Sequence, residues 1–232
     1  TPRTRGVVVV HPNNPTGHFT KAEEAVRLGQ ICAAQGMAVI ADEVFLGFSL
    51  ATEPAPAAPR SFAGSSGALT LTMSGLSKIC GLPQMKLAWL VVSGPEQLKL
   101  EALARLEVIA DTYLSVSTPV QLAAAELLAQ RSAFQTQVMK RVRKNMAELD
   151  RQLAAQSNCS RLKAEGGWYA VLRLPVTNSD EDTAINLLEK HDVYVHPGHF
   201  YDFAQEGVLV VSLITPEKDF ARGIEMVLKV AG

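Results

Sequence analysis

Short, almost continuously apolar runs are the sequence feature that most limits how this chain can fold. Gly6–Val10, 37–41 and 69–73 are such runs, and 87–93 is a fourth. Runs of about five residues without polar alternation are typical of strands buried on both faces, as in parallel sheets. The first ninety residues therefore predict an α/β unit with a mainly parallel sheet, its strands separated by helices or long loops.

Capping signals place the first helix and the later elements. Thr20 and Glu23 have capping-box spacing, which predicts a helix from Thr20 to Gly36. A second capping box, Thr118 with Gln121, opens another helix. Further helices are predicted at 95–110, 134–155, 180–191 and 216–230, with strands at 169–174, 193–196 and 208–213. The chain is thus expected to contain a larger first domain, a long connecting helix and a smaller α/β domain.

Composition excludes several classes of protein. The 232 residues carry 22 Lys and Arg against 23 Asp and Glu, which gives no basic field for nucleic acid. No apolar run is long enough to cross a bilayer, and no signal-peptide pattern opens the chain. Cys32, Cys80 and Cys159 are odd in number and widely spaced, which disfavours a disulfide framework or a zinc knuckle and favours a reducing compartment.

Polar residues follow three of the predicted strands, where an α/β sheet presents its ligands. They are Asn14 in a turn after Val10, Asp42 after the second run, and Lys78 after the third. Taken singly, these are a turn residue, a surface or capping carboxylate and a solvated lysine. Together they match a pyridoxal phosphate site, in which lysine forms an imine, aspartate keeps the pyridine nitrogen protonated, and asparagine binds the phenolic oxygen.

Five motifs make the chain similar to the class I/II aminotransferases of fold type I, the aspartate aminotransferase superfamily. In chain order they are NNPTG at 13–17, DEVF at 42–45, SKICGLP at 77–83 with Lys86 and Trp89, EGGWY at 165–169, and VHPGHF at 195–200. Each motif alone is weak, but five in order across the whole chain are specific.

The resemblance implies a fold of class α/β, the later half of a mainly parallel-sheet PLP-transferase large domain plus a small α/β C-terminal domain. Residues 1–130 would be the C-terminal part of the large domain that binds pyridoxal 5'-phosphate. Residues 131–232 would be the connecting helix and the small domain. The family's N-terminal portion, with its phosphate-binding loop, has no counterpart here, so the chain is expected to be a fragment.

The same resemblance assigns the site residues. Lys78 would be the catalytic lysine that binds the cofactor and then moves a proton. Asp42 would bind the pyridine nitrogen and Asn14 the phenolic oxygen. Lys86 would bind the phosphate where the family usually has an arginine, which keeps the charge and loses bidentate geometry. No metal is expected, because a domain-edge loop explains His196 and His199 better than a metal site does.

Three positions depart from the family pattern. Phe45 replaces a tyrosine that binds the phenolic oxygen, which predicts a higher imine pKa than in a Phe45→Tyr variant. Gly75 replaces a frequent phosphate-binding serine. Val210 stands where the family has the arginine for the substrate carboxylate. Either another arginine performs that task or the substrate lacks the carboxylate. Phe200, Tyr201 and Phe203 could line a substrate pocket or pack in the core.

The implied function is transfer of an amino group between an amino acid and a 2-oxo acid, in a cytoplasmic biosynthetic enzyme that is a homodimer in its full-length form. No nucleic-acid or membrane partner is expected. A PLP-dependent lyase or decarboxylase of the same fold remains an alternative, as does a non-catalytic module. Retention of Asn14, Asp42 and Lys78 favours an enzyme.

Overall fold

The computed structural model describes residues 3–51 and 61–231, and the chain divides into two compact units. The first unit comprises Thr1–Asn13, Phe19–Gly47 and Ala51–Gln135. The second comprises Asn14–His18, Phe48–Leu50 and Thr136–Gly232. Most of the loop predicted between 51 and 67 lies at 52–60, outside the described residues.

The first unit is built on a four-stranded sheet. Its strands are β1 (Gly6–Val10), β2 (Ala38–Asp42), β3 (Thr70–Gly75) and β4 (Ala88–Ser93), in the order β1-β2-β3-β4. The first three strands are parallel, as expected from their sequences, and β4 runs antiparallel to β3. The register places Val10 beside Asp42 and Asp42 beside Met73 at one end of the sheet.

The expectation that β1 is buried on both faces is wrong. Val7 and Val9 pack against a core that contains Cys32 and Val39, but Val8, on the other face, is 66% exposed. In the described part of the chain, β1 pairs only with β2, so it is an edge strand with one covered face. An apolar run indicates that burial of the strand is favourable, but the neighbouring strands and helices determine whether both of its faces are covered.

Four α-helices lie entirely within the described part of the first unit. They are α1 (Ala22–Ala34), α2 (Leu76–Ile79), α3 (Glu96–Asp111) and α4 (Thr118–Ala129). The predicted caps are each displaced by one residue. Lys21 caps α1 through its backbone N–H, which donates to the Glu24 carboxylate at 2.7 Å, so Thr20 and Glu23 do not form the box. Ser117, rather than Thr118, precedes α4.

The second unit combines an antiparallel sheet with helices. Its strands are β5 (Ser160–Arg161), β6 (Tyr169–Arg173), β7 (His196–Pro197) and β8 (Val208–Ser212), in the order β5-β6-β8-β7. Its helices are α6 (Asp180–His191), α7 (Glu217–Ala231) and most of α5 (Arg131–Ala154). No helix in the described ranges 3–51 and 61–231 is long and apolar enough to cross a membrane.

Two early segments belong to the second unit because its backbone binds them. The Gly17 carbonyl accepts from the amides of Glu165 and Gly166 at 2.9 and 2.8 Å, and the Phe48 carbonyl accepts from the Gly167 amide at 2.8 Å. Gly17 has a φ of 75°, and a Cβ there would lie 2.5 Å from the Gly166 oxygen. Only glycine allows this approach.

Candidate active site

Asp42 ends β2 at the edge of the sheet where the parallel strands present their carboxyl ends. Its side chain is partly exposed, and Oδ1 accepts a hydrogen bond from the Val44 amide at 3.1 Å. This bond belongs to the turn that follows β2. The carboxylate is thus held at a strand end while part of it remains reachable from solvent.

Lys78 is placed by a short helix that follows β3 directly. Leu76 and Ile79 of α2 are buried in an apolar cluster and anchor the helix, whereas Lys78 between them is partly exposed. The Lys78 Nζ lies 5.8 Å from the centroid of the Phe45 ring. Since Phe45 is only three residues beyond Asp42, the structure brings the lysine and the segment that carries the carboxylate together.

Gly75 explains one departure from the family pattern. A Cβ at this position would lie 2.9 Å from the Leu87 carbonyl oxygen and 3.0 Å from the Ala88 Cα. These are backbone atoms of the neighbouring strand pair, in which Gly75 lies opposite Ala88. The close approach leaves no room for a phosphate-binding side chain, and a single sequence carries no signal of it.

The two remaining predicted residues are more exposed. Lys86 precedes β4, two residues before the partner of Gly75, and has a left-handed backbone with a φ of 52°. Its ammonium is therefore available at the same edge of the sheet as Lys78. Asn14 is exposed and belongs to the segment that the second unit holds through Gly17.

A buried network behind Asp42 was not found by sequence reasoning. Glu43 is 5% exposed and accepts from the Ser61 hydroxyl and the Phe62 amide, both at 2.6 Å. Burial raises the pKa of the Glu43 carboxyl, and the nearby Asp42 charge raises it further. The sequence signal that could have pointed to this network is the position of Glu43 directly after Asp42, a predicted site residue.

His11 fixes the backbone of Asp42 from the other side. It is fully buried, and its amide donates to the Asp42 carbonyl at 2.8 Å. Its Nδ1 accepts from the Thr20 amide at 3.2 Å, and its ring meets the Phe62 ring edge-on at 5.4 Å. These contacts of His11 therefore hold the end of the strand that carries the Asp42 carboxylate.

The first unit fits the ring of pyridoxal phosphate better than it fits the phosphate. A lysine amine and a partly exposed carboxylate at adjacent strand ends are the groups that the ring requires. For the phosphate, Lys86 offers a charge, whereas Gly75 offers no side chain. No group of three potential metal ligands occurs in the residues that the structure describes.

In the second unit, Val210 is an apolar core residue. It is 3% exposed and forms a buried cluster with Val171 and Val208, against which Tyr201 and Phe203 pack. Residue 210 therefore cannot bind a carboxylate.

Comparison with known proteins decides the family. The model of the family "Aminotransferase class I and II" matches residues 1–225. The chain belongs to this family. Class I/II aminotransferases depend on pyridoxal phosphate, which supports the cofactor prediction. The predicted family and α/β fold class are confirmed.

Individual aminotransferases are similar over parts of their length. Glutamate-pyruvate aminotransferase AlaA of Escherichia coli K12 is 32% identical over 125 residues, which cover 52% of this chain and 29% of that protein. A probable aspartate/prephenate aminotransferase of Aquifex aeolicus VF5 is 25% identical over 235 positions, with coverages of 99% and 58%. This aminotransferase chain therefore spans little more than half of that relative.

Solved structures show the same fold. The tyrosine aminotransferase of Leishmania infantum superposes with a TM-score of 0.84 at 16% identity, covering 98% of this chain and 56% of that one. The likeness concerns the fold alone.

Proposed function

We propose that this chain is part of a pyridoxal phosphate-dependent transaminase that moves an amino group between an amino acid and a 2-oxo acid. The observation that carries the proposal is the position of the Lys78 amine 5.8 Å from the centroid of the Phe45 ring. Phe45 lies three residues beyond Asp42, which ends β2, and β2 pairs with β3, the strand that precedes Lys78. The cofactor supplies an electron sink for the substrate Cα.

The chain's own residues divide the work. Lys78 would hold the cofactor through Nζ and would move a proton at the substrate Cα. Asp42 would keep a proton on the pyridine nitrogen, and the buried supports Glu43 and His11 keep Asp42 in place. Asn14 would bind the phenolic oxygen and Lys86 the phosphate.

The relatives suggest the substrates. The names of the curated relatives specify glutamate and pyruvate, alanine, and aspartate or prephenate, so acidic and small amino acids and their 2-oxo acids form the first substrate class to test. A cytoplasmic, biosynthetic homodimer, with domains at 1–130 and 131–232, is part of the same proposal.

Covalent trapping tests the cofactor site. The chain is mixed with pyridoxal phosphate, reduced with borohydride and mapped by peptide mass, and the label is expected on Lys78. Lys78→Ala should remove the label, and the exposed Lys140→Ala on α5 is the matched control that should keep it. A label spread evenly over surface lysines, or none on Lys78, would contradict the proposal.

Product analysis tests the reaction. Amino acids should change the absorbance of the cofactor-loaded chain and yield 2-oxo acids. Because Val210 is apolar and buried, decarboxylation is the second candidate, and it would release CO₂ instead of a 2-oxo acid. Spectral silence across the panel, with Lys78 labelled, would favour a non-catalytic module.

A further inference from the structure

The end of helix α2, which carries Lys78, is held by a side chain from a distant part of the sequence. The helix has four residues, and the last carbonyl groups of any helix lack partners within it. The Gln135 Nε2 donates a hydrogen bond of 3.3 Å to the Ile79 carbonyl oxygen. Because Ile79 directly follows Lys78, Gln135 binds the backbone one residue beyond the lysine.

The same side chain lies against the turn that follows Asp42. A Cβ at Gly47 would lie 2.9 Å from the Gln135 Nε2 and 3.0 Å from its Oε1, so the amide group packs directly on the Gly47 backbone. Within this turn, the Val44 amide donates to the Asp42 carboxylate at 3.1 Å. One side-chain amide thus contacts both the turn after Asp42 and the helix that carries Lys78.

The residue before Gln135 is anchored as well. Gly81 has a φ of 67°, and a Cβ there would lie 2.5 Å from two ring carbons of Phe134, so the ring lies on the glycine just beyond α2. The Phe134 amide donates to the Gln130 carbonyl at 3.1 Å, which joins the start of α5 to the end of α4. These contacts hold Gln135 where its amide reaches α2.

The separation of Lys78 and Asp42 matters because the proposed function requires both groups to hold one flat ring. Misplacing such groups by about 1 Å can cost on the order of 100-fold in rate. Strand pairing fixes Asp42 beside Met73, but Lys78 lies five residues beyond Met73, outside the strand. The contacts of Gln135 join the two segments at a point that the strand pairing does not reach.

We propose that Gln135 is a positioning residue that sets the separation of the Lys78 amine and the Asp42 carboxylate. The proposal rests on the proposed function, in which these two groups hold the cofactor ring. Gln135 acts through the Ile79 carbonyl and the Gly47 backbone rather than through a contact with the ring. All of these residues belong to the first unit.

Two aldehydes separate the positioning of Lys78 from its accessibility. Pyridoxal phosphate reacts with the Lys78 amine while Asp42 holds its ring nitrogen, whereas formaldehyde needs only an accessible amine. In both reactions the amine attacks the aldehyde carbon, water leaves, and cyanoborohydride delivers a hydride that makes the new bond stable. The rate at which each aldehyde labels Lys78 is measured by peptide mass in the 232-residue chain.

Gln135→Met keeps the length of the side chain and removes its donor. Pyridoxal phosphate should label Lys78 about three to ten times more slowly in this variant than in the native chain, the range expected for one lost hydrogen bond. Methylation of Lys78 by formaldehyde should be unchanged. Gln137→Met, the same change at an exposed position of α5, is the control and should leave both rates unchanged. An unchanged rate with pyridoxal phosphate in Gln135→Met, or equal slowing with both aldehydes, would overturn the proposal.

Gly47→Ala tests the contact from the other side. The added methyl group should displace the Gln135 amide from the Ile79 carbonyl, so this variant should also slow the labelling of Lys78 by pyridoxal phosphate. In a Gln135→Ala chain the amide is absent, and Gly47→Ala should have no further effect. Additive slowing in the double variant would mean that the two residues act independently and would contradict the proposal. Circular dichroism of each variant verifies folding.

The two proposals are distinguished by the native chain. If pyridoxal phosphate does not label Lys78 in the native chain, the proposed function is contradicted, and the role of Gln135 with it. If the native chain is labelled at Lys78 and Gln135→Met is labelled at the same rate, only the role of Gln135 is contradicted.

Discussion

The backbone around Gly75 decides which residue type this position can hold. Because a Cβ would press on the Leu87 carbonyl and on Ala88, Gly75→Ser should lower the free energy of unfolding by about 1–3 kcal/mol, the usual cost of overpacking. Urea denaturation measures this. Gly29→Ala in α1 is the control, since its Cβ meets nothing within 4 Å, and it should stabilise by about 0.5–1 kcal/mol. A Gly75→Ser chain as stable as the native one would contradict the steric explanation.

The buried Glu43 carboxyl makes a prediction about pH. Its pKa is raised in the folded state, chiefly by burial, so the folded chain holds this proton more tightly than the unfolded chain. The associated stability is fully present below the ordinary pKa of 4.5 and is lost as pH rises through the folded pKa. Relative to Glu43→Gln, the native chain should therefore lose free energy of unfolding as pH rises from below 4.5 toward neutrality.

Urea denaturation at a series of pH values checks the Glu43 prediction. The same substitution at an exposed carboxyl, Glu107→Gln, is the control and should leave the difference from the native chain nearly independent of pH. A constant difference for Glu43→Gln as well would show that burial does not perturb this group.

At the scale of elements, Asp180 joins the start of α6 to the edge of the small sheet. The carboxylate is 5% exposed and accepts from the amides of Gly207, Val208 and Gly198 at 2.6, 3.0 and 3.3 Å. In Asp180→Asn, the side-chain NH₂ replaces one accepting oxygen, so at least one of these backbone amides loses its acceptor. The variant should lose about 1–3 kcal/mol of stability in urea, the cost of a buried unsatisfied donor. Glu181→Gln, an exposed neighbour, should cost little.

Local pattern predicted the bounds of two elements without error. Strand β1 and helix α6 have the predicted bounds, since each depends on a continuous run or on helical spacing. The cap of α1 was wrong because its N-cap is Lys21, a residue type that carries no capping signal, and because the accepting carboxylate belongs to Glu24 and not to Glu23. Helix α2 and strand β5 were missed because four and two residues are too few to show a period.

The candidate site was predictable only where a motif marks it. Asp42 and Lys78 follow apolar runs, and this order alone places them at strand ends. The partners of Glu43 lie 18 and 19 residues away in sequence, and the Gly75 contact joins two strands. Such contacts are products of tertiary packing, so one sequence does not reveal them.

At the scale of the whole molecule, the first unit exposes many large apolar side chains. Leu98, Leu103, Val108, Leu114 and Leu122 are among them, and Leu122 is 82% exposed. Leu98, Leu103 and Val108 lie on α3 and Leu122 on α4, and a concentration of exposed apolar side chains on two consecutive helices favours an interaction surface. The chain should therefore self-associate, with a weight-average mass that rises above 25.0 kDa with concentration in sedimentation equilibrium.

Substitution tests which surface drives the association. Val108→Lys combined with Leu122→Lys should lower the weight-average mass, whereas Ile185→Lys, an exposed apolar position of the second unit, should not. A mass that stays at 25.0 kDa at all concentrations would contradict the prediction.

The docking of Gly17 and Phe48 onto the stretch from Glu165 to Gly167 has a consequence for dissecting the gene. A polypeptide that starts at residue 136 would leave the amides of Glu165, Gly166 and Gly167 without their acceptors. No single cut in the chain releases the second unit whole, because two of its pieces are encoded before residue 51. A fragment that contains the whole second unit would need the two early segments joined to residues 136–232. The carboxyl-terminal half therefore depends on the amino-terminal half for acceptors of its own backbone amides.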